Sequence, residues 1–324
     1  MKKCLLILPY FGKFNNYFPL YLKSIETNTG INWLIITDDR TPYSYPDNVK
    51  VIYCDFPELA ERAKAALGKD IYLEYPYKLC DFKPAYGVIF EEEVKDYEYW
   101  GYCDCDVVYG SLNRLLIPVL EQGYEKIFTP GHMTIYRNSE ENNHRFLHAC
   151  GGKYFYKNAF TSKNICWFDE PFRDESIHEI FMNEGAKVYC EDMCASPYIF
   201  YSQFCMTKYT GRKDEQRYVI EKADVRSGFY WDHGSLYRIV REKDGSYTTK
   251  EYLYIHLQRR KMTCDPTVTK HDLFQIYPNG FEVLDKVPET DAEKKYFTRY
   301  RFCTQWFDIK SADWKKKIRD KLRK

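Results

Sequence analysis

Cys4-Leu5-Leu6-Ile7-Leu8-Pro9-Tyr10-Phe11-Gly12 is a continuous apolar run that ends in an aromatic loop. Five apolar residues without polar alternation suit a central parallel strand, because such a strand is covered on both faces. Pro9 carries no N–H and is expected to end the strand. The spacing of Phe18, Leu22 and Ile25 then predicts a helix from Phe18 to Asn28, with Gly30 as its stop. Trp33-Leu34-Ile35-Ile36-Thr37 reads as a second buried strand and Val49 to Cys54 as a third, and Glu58 to Leu67 is helical by composition. This β-α-β alternation predicts an α/β fold with a Rossmann-type, mostly parallel sheet flanked by helices.

Ligands of such sheets sit outside the carboxyl ends of the strands. Tyr10, Phe11, Asp38, Asp39 and Asp55 all fall at such ends. So do Asp104 and Asp106, in Tyr97-Glu98-Tyr99-Trp100-Gly101-Tyr102-Cys103-Asp104-Cys105-Asp106. Residues i and i+2 of a strand share a face, so these two carboxylates converge on one point. Carboxylates that close repel unless a proton or a cation lies between them, and a hard divalent ion that also grips phosphate oxygens meets that need. A turn with two solvated Asp residues is the other reading of the pair. The sequence has neither G-x-G-x-x-G nor a P-loop.

Pro84 suits the first position of a helix reaching to about Tyr97, which puts Lys78, Asp81 and Lys83 in the turn leading into it. These three either cap the helix and meet solvent, or form a cationic lip beside a diphosphate. Ile165 to Pro171 places Asp169 and Glu170 at an element boundary, followed by a helix from Phe172 to Glu184. The pair suits either helix capping or work on an acceptor hydroxyl. Leu236 to Val240 and Tyr247 to Tyr254 alternate as antiparallel strands would, with Asp244-Gly245-Ser246 as the hairpin tip and Tyr230 to Ser235 as a turn. Tyr252 to Ile255 is apolar and runs into His256-Leu257-Gln258-Arg259-Arg260-Lys261. His256 is either structural or a third ligand beside the two carboxylates, and the basic residues are placed to meet phosphates.

A net charge of +1 over 324 residues provides no global field for nucleic acid, and none is expected as a partner. The aromatic content is 18%, with 31 Tyr and 21 Phe, which suits stacking against sugars and bases as well as core packing. Twelve Cys without a C-x-x-C pair read as reduced, buried thiols. The apolar run at the N-terminus is too short for a signal peptide, and no stretch reaches the roughly 18 apolar residues of a membrane span. These features predict a cytoplasmic protein. The tail 310–324 has eight basic residues against two acidic, with Trp314, Ile318 and Leu322 on one helical face. It suits peripheral contact with an anionic membrane, at the inner face of the plasma membrane, or packing of that face on the domain. The expected organisation is a domain over 1–262, containing a small antiparallel hairpin region, and an extension over 263–324 with the terminal helix.

On these residues the chain resembles the GT-A nucleotide-sugar glycosyltransferases, and most of all bacterial members encoded in capsule or lipopolysaccharide gene clusters. The resemblance spans roughly residues 1 to 262. It rests on the strand with Pro9-Tyr10-Phe11, on Lys78-x-x-Asp81-x-Lys83, on Asp104-x-Asp106 and on His256 to Lys261. It implies that Asp104 and Asp106 bind Mn²⁺ or Mg²⁺ and the donor diphosphate, that His256 completes the metal shell, and that Lys261 meets a phosphate. The His256–Lys261 spacing is one residue shorter than the glycogenin-like and lipooligosaccharide galactosyltransferase pattern, which leaves Arg259 and Arg260 as alternatives to Lys261. Asp39 or Asp38 would sit near base and ribose. The implied reaction moves a sugar from a nucleoside-diphosphate sugar, a UDP-sugar first, to a hydroxyl of a saccharide or lipid-linked saccharide, with Asp169 or Glu170 on the acceptor side. A nucleotidyltransferase or phosphotransferase using the same carboxylates, and a non-catalytic saccharide-binding protein, are the rival readings.

Overall fold

A computed structural model describes residues 2–199, 202–209, 218–222, 224–302 and 304–322. The chain divides into two compact units. One comprises Met1–Asn15, Asn28–Cys105 and Leu112–Asp192; the other comprises Asn16–Thr27, Asp106–Ser111 and Met193–Lys324.

Strands β1 (Lys2–Tyr10), β2 (Ile31–Thr37), β3 (Val49–Tyr53), β4 (Tyr97–Cys103), β5 (Val107–Tyr109), β6 (Lys126–Ile127), β7 (Met133–Arg137) and β8 (Val188–Tyr189) follow in order, with helix α1 (Phe18–Glu26) after β1 and α2 (Phe56–Leu67) after β3. Among the described residues, all but β5 form a seven-stranded sheet of order β3-β2-β1-β4-β7-β6-β8 in the first unit. β1, β2, β3 and β4 are mutually parallel, and β7 runs antiparallel to both its neighbours. The α/β architecture with a mostly parallel, helix-flanked sheet is therefore as expected.

Three local expectations are corrected. β1 continues past Pro9 to Tyr10; it pairs with β4 only to Ile7, so Pro9 has a strand on one side only, as an edge position does. The helix expected from Pro84 to Tyr97 is broken into Lys83–Ala85, Tyr86–Ile89 and Glu91–Val94. Gly87 there lies against the Trp100 indole, where a Cβ would come within 2.6 Å, and Phe90 leaves helical geometry to bury its ring. The helix expected from Phe172 starts at Ile177, whose N–H closes a loop onto the Phe168 carbonyl at 2.9 Å.

The pleat turns Leu5, Ile7, Leu34, Ile36, Trp100 and Tyr102 into one core, covered by Leu59, Ala60 and Ala63 of α2 and by Ile177, Ile180 and Phe181. Asp55 caps α2 in a capping box with Glu58, so this strand-end carboxylate starts a helix. Gly101 lets β7 approach β4, because a Cβ there would lie 2.4 Å from the Thr134 carbonyl oxygen.

In the second unit, β9 (Thr207–Tyr209) and β10 (Tyr218–Ile220) pair with each other, and β11 (Arg226–Asp232), β12 (Ser235–Arg241) and β13 (Tyr247–Tyr252) begin a larger sheet. Tyr230 to Ser235, expected as a turn, is a hairpin whose His233 and Gly234 have φ of 46° and 90°, the two left-handed positions of a type I′ turn. The expected strand to Tyr254 breaks at Leu253. Beyond it β14 (Tyr254–His256) leaves β12 and pairs with β5. β15 (Leu273–Tyr277) and β16 (Gly280–Val283) complete the sheet in the order β13-β12-β11-β15-β16. β15 and β16, which follow residue 262, thus lie in the same sheet as β11. Tyr17, Leu20, Val108, Trp231, Leu236, Ile255 and Phe274 share one core. Among the described residues no helix is long and apolar enough to cross a membrane.

Candidate functional site

In the first unit the chemistry gathers at the carboxyl ends of β1, β2 and β4. Asp104 follows β4, and its N–H donates to the His132 carbonyl at 3.1 Å. Lys83 Nζ donates to Asp104 Oδ1 at 3.0 Å and to the Gly131 carbonyl at 2.7 Å, and lies 3.2 Å from Asp169 Oδ2. The Gly131 N–H donates to Glu170 Oε2 at 3.2 Å. A Cβ on Gly131 would come within 2.6 Å of Glu170 Oε1 and 2.8 Å of Asp169 Oδ2, so a side chain there would displace these two carboxylates. Two sequence-predicted carboxylates from distant segments, Asp104 and Asp169, thus share the Lys83 ammonium.

Burial works against the charge on Lys83, and the Asp104 and Asp169 carboxylates outweigh it, holding the ammonium well above its usual range. Burial pushes the Asp169 carboxyl well above the carboxylate range; Lys83 opposes this, and the charges of Glu170 and Asp104 add to it. Asp169 is only 3% exposed. Of the two acceptor-side candidates, Glu170 is the half-buried one and Asp169 sits beneath it.

At the ends of β1 and β2, Asp38 Oδ1 accepts from the Gly12 N–H at 2.7 Å, and Asp38 is exposed. Asp39 is buried. Its Oδ1 accepts from Lys13 Nζ and from the Thr41 hydroxyl and N–H, and its Oδ2 accepts from the Phe14 N–H. Burial alone would raise this carboxyl, yet these donors hold it below the usual range. Asp39 therefore builds the loop, and Asp38 is the carboxylate presented outward. Tyr10 stacks on Phe14 with centroids 4.6 Å apart, and Phe11 meets Phe56 edge-on at 5.4 Å. Lys13, Phe14 and Thr41 were not singled out from the sequence, although Thr41, two residues past an Asp, carries an Asx-turn signal.

Lys78 and Asp81 correct the expectation of a phosphate lip. Both are fully buried and paired at 2.7 Å. The ammonium also donates to the Ala159 and Asn164 carbonyls at 2.8 Å each, which occupies its three donors. Asp81 accepts from the backbone N–H of Cys166 and of Phe168. The pair clamps the loop that follows.

In the second unit, β14 pairs with β5 so that His256 stands opposite Val107, and the Leu257 N–H donates to the Asp106 carbonyl at 2.8 Å. This register brings His256 Nε2 to 3.2 Å from Asp106 Oδ1 across a sequence separation of 150 residues. Gly110 permits the register, because a Cβ there would lie 2.5 Å from the Tyr252 carbonyl oxygen. Gln258, with φ of 55°, turns the chain after β14. Arg260 is buried and donates to the Tyr198 and Pro278 carbonyls, which removes it as a phosphate contact; Arg259 and Lys261 are exposed.

Residues 6–285 match the Family of unknown function (DUF6625). The chain belongs to this family. No curated protein sequence matches it. Among solved structures, mouse xyloside xylosyltransferase 1 in its apo form is similar over 60% of this chain and 87% of its own, at 9% identity and a TM-score of 0.37. The galactosyltransferase LgtC in complex with donor and acceptor sugar analogues is similar over 60% of this chain and 77% of its own, at 9% identity and a TM-score of 0.31.

Proposed function

We propose that this member of the family is a metal-dependent glycosyltransferase that moves a sugar from a nucleoside-diphosphate sugar, a UDP-sugar first, to a saccharide hydroxyl. The observation that carries the reading is the meeting of Asp106 and His256 at 3.2 Å, Asp106 just before β5 and His256 at the end of β14, the two strands of a separate two-stranded sheet. A carboxylate oxygen and an imidazole nitrogen at that separation fit the shell of one ion whose bonds are about 2.1 Å long. Asp104 lies two residues before Asp106, within about 7 Å of it by chain length alone. Asp104, Asp106 and His256 each offer one ligand atom to the ion. Two carboxylates and one imidazole suit Mn²⁺ better than Mg²⁺.

When bound, the ion supplies Lewis acidity to the departing nucleoside diphosphate. The chain's own residues do the rest. Lys83 holds Asp104 in place and balances the buried Asp169. Lys261 and Arg259 add fixed positive charge where the diphosphate oxygens gain charge, favouring the transition state over the bound donor. Asp38 accepts from a ribose hydroxyl, beside the aromatic wall of Tyr10 and Phe14. Glu170 orients the acceptor hydroxyl. The resemblance of the motifs supports a capsule or lipopolysaccharide precursor, free or lipid-linked, as acceptor. The helix Gln305–Leu322 leaves Phe307, Trp314 and Ile318 exposed among basic residues, which supports peripheral contact with an anionic cytoplasmic membrane face. Leu322, the third residue expected on that face, has its side chain outside the described residues.

The test is a panel of UDP-, GDP-, TDP- and CMP-sugars incubated with Mn²⁺, with Mg²⁺ or with EDTA. The expected outcome is slow hydrolysis of one donor to nucleoside diphosphate and sugar. EDTA should abolish it, and Asp106→Asn or His256→Ala should lower it at least 100-fold, about 2.7 kcal/mol of barrier. Hydrolysis unchanged by either substitution removes the metal assignment. Release of nucleoside monophosphate and sugar 1-phosphate instead, from cleavage within the diphosphate, identifies nucleotidyltransferase-type chemistry.

A further inference from the structure

Trp167 has φ of 55°, a left-handed backbone that a bulky aromatic residue rarely adopts. Such an outlier persists only where the surroundings impose it. They do so here from both sides: Asp81 accepts from the N–H of Cys166 and from the N–H of Phe168, the two residues that flank Trp167. The Phe168 ring is wholly buried, which fixes the loop in depth. The buried Lys78–Asp81 pair thus anchors the backbone while the Trp167 ring faces outward, 36% exposed. A core function would not need that strain, because an exposed Asn or Gly would adopt the same φ without it.

The loop carries a matched set of groups. Phe172 is 37% exposed, with its ring centroid 6.3 Å from that of Trp167. The Arg173 guanidinium lies 4.5 Å from the Trp167 centroid and 5.4 Å from that of Phe172. Between them in sequence stand Asp169 and Glu170, and the Glu170 N–H donates back to the Trp167 carbonyl at 3.1 Å. Tyr77, 69% exposed, is within electrostatic reach of Asp169, Lys83 and Asp104. A pyranose presents apolar C–H faces and polar hydroxyl edges. Exposed aromatic faces beside a carboxylate and a guanidinium match both features.

We propose that Trp167 and Phe172 form a stacking platform for the acceptor saccharide, held outward by the Lys78–Asp81 clamp and placed so that a bound sugar's hydroxyl meets Glu170. The assignment deepens the glycosyltransferase reading and rests on it for the word acceptor. Saccharide binding itself is independent of donor chemistry.

The test uses the full chain, wild type, Trp167→Asn and Phe172→Ala. Binding is measured to immobilised lactose, maltotriose and N,N′-diacetylchitobiose, alongside Tm, donor hydrolysis and co-sedimentation with phosphatidylcholine–phosphatidylglycerol vesicles. The expected result is wild-type binding to at least one saccharide, weakened tenfold or more in each variant. Trp167→Asn should keep or raise Tm, because Asn accepts the left-handed backbone. No saccharide bound by wild type, binding unchanged in both variants, or a lower Tm in Trp167→Asn that marks the indole as structural, overturns the platform. So does vesicle binding that depends on Trp167 without saccharide binding. Absence of donor hydrolysis in the wild type counts against the transferase alone, since the saccharide readout is still obtained.

Discussion

Lys126 is buried and the Lys83 side chain is only 13% exposed, yet their surroundings treat them oppositely. Lys83 faces two carboxylates and stays charged. Lys126, at the start of β6, has the Phe128 carbonyl as acceptor, and burial pushes its ammonium down to about 7. The folded state therefore binds the proton less tightly than the unfolded chain, whose lysine titrates near 10.4. The unfolded chain holds more protons between those values, so stability rises as pH climbs from about 7 to about 10. The full span is on the order of 4 kcal/mol as an upper bound. Lys126→Met should raise stability at pH 7 and flatten that slope in urea unfolding; the lost bond to Phe128 is worth only about 1 kcal/mol. A slope that survives the substitution removes Lys126 as its source. Neither role is legible in sequence. Lys126 opens an apolar run and Lys83 sits in a polar turn, and only packing decides which of them meets a carboxylate.

At the scale of elements, β14 matters most for the site. Its sequence, Tyr254-Ile255-His256, follows β13 after a single residue, and no Gly or Pro marks the break at Leu253. The break arises because β5 offers an unpaired edge, and Gly110 lets the two strands close: its N–H donates to the Leu253 carbonyl at 2.7 Å. Gly110→Ala puts a Cβ 2.5 Å from the Tyr252 carbonyl and 3.0 Å from Leu236 Cβ. It should cost about 1–3 kcal/mol of stability and shift His256 away from Asp106. The expected signature is metal-dependent donor hydrolysis falling tenfold or more at a temperature where circular dichroism still shows a folded protein. Activity that falls only in step with unfolding would show that the register tolerates the methyl group. By contrast, β1 to β3, α1 and α2 were legible from apolar runs, helical spacing and composition, because their burial and their propensities agree.

At the scale of the molecule, residues 16–27 and 106–111 belong to the same unit as the chain after 193. Sequence reading assigns neighbours by proximity along the chain, whereas the core of this unit is assembled by contact between distant segments. The charge balance of +1 likewise hides an uneven distribution: the stretch 310–324 is strongly basic. Deleting residues 310–324 should release the protein from phosphatidylglycerol vesicles in a sedimentation assay, with Tm changed by only a few degrees, since Trp314 is 68% exposed and packs little. Unchanged sedimentation removes the tail as an anchor.

The α/β class and the first β-α-β unit were determined by sequence alone, because apolar runs and helical spacing are local. The partner of each charged group was not. Lys78 and Asp81 read as either a solvated cap or a surface lip and are a buried pair; Asp39 or Asp38 read as the ligand contact, and Asp39 braces the loop while Asp38 is exposed; His256 read as either structural or a third ligand and stands 3.2 Å from Asp106. Those outcomes depend on which segments 25 to 150 residues apart are brought within hydrogen-bonding distance. Only the folded chain sets that, because a buried charge is tolerated only where a partner is packed against it.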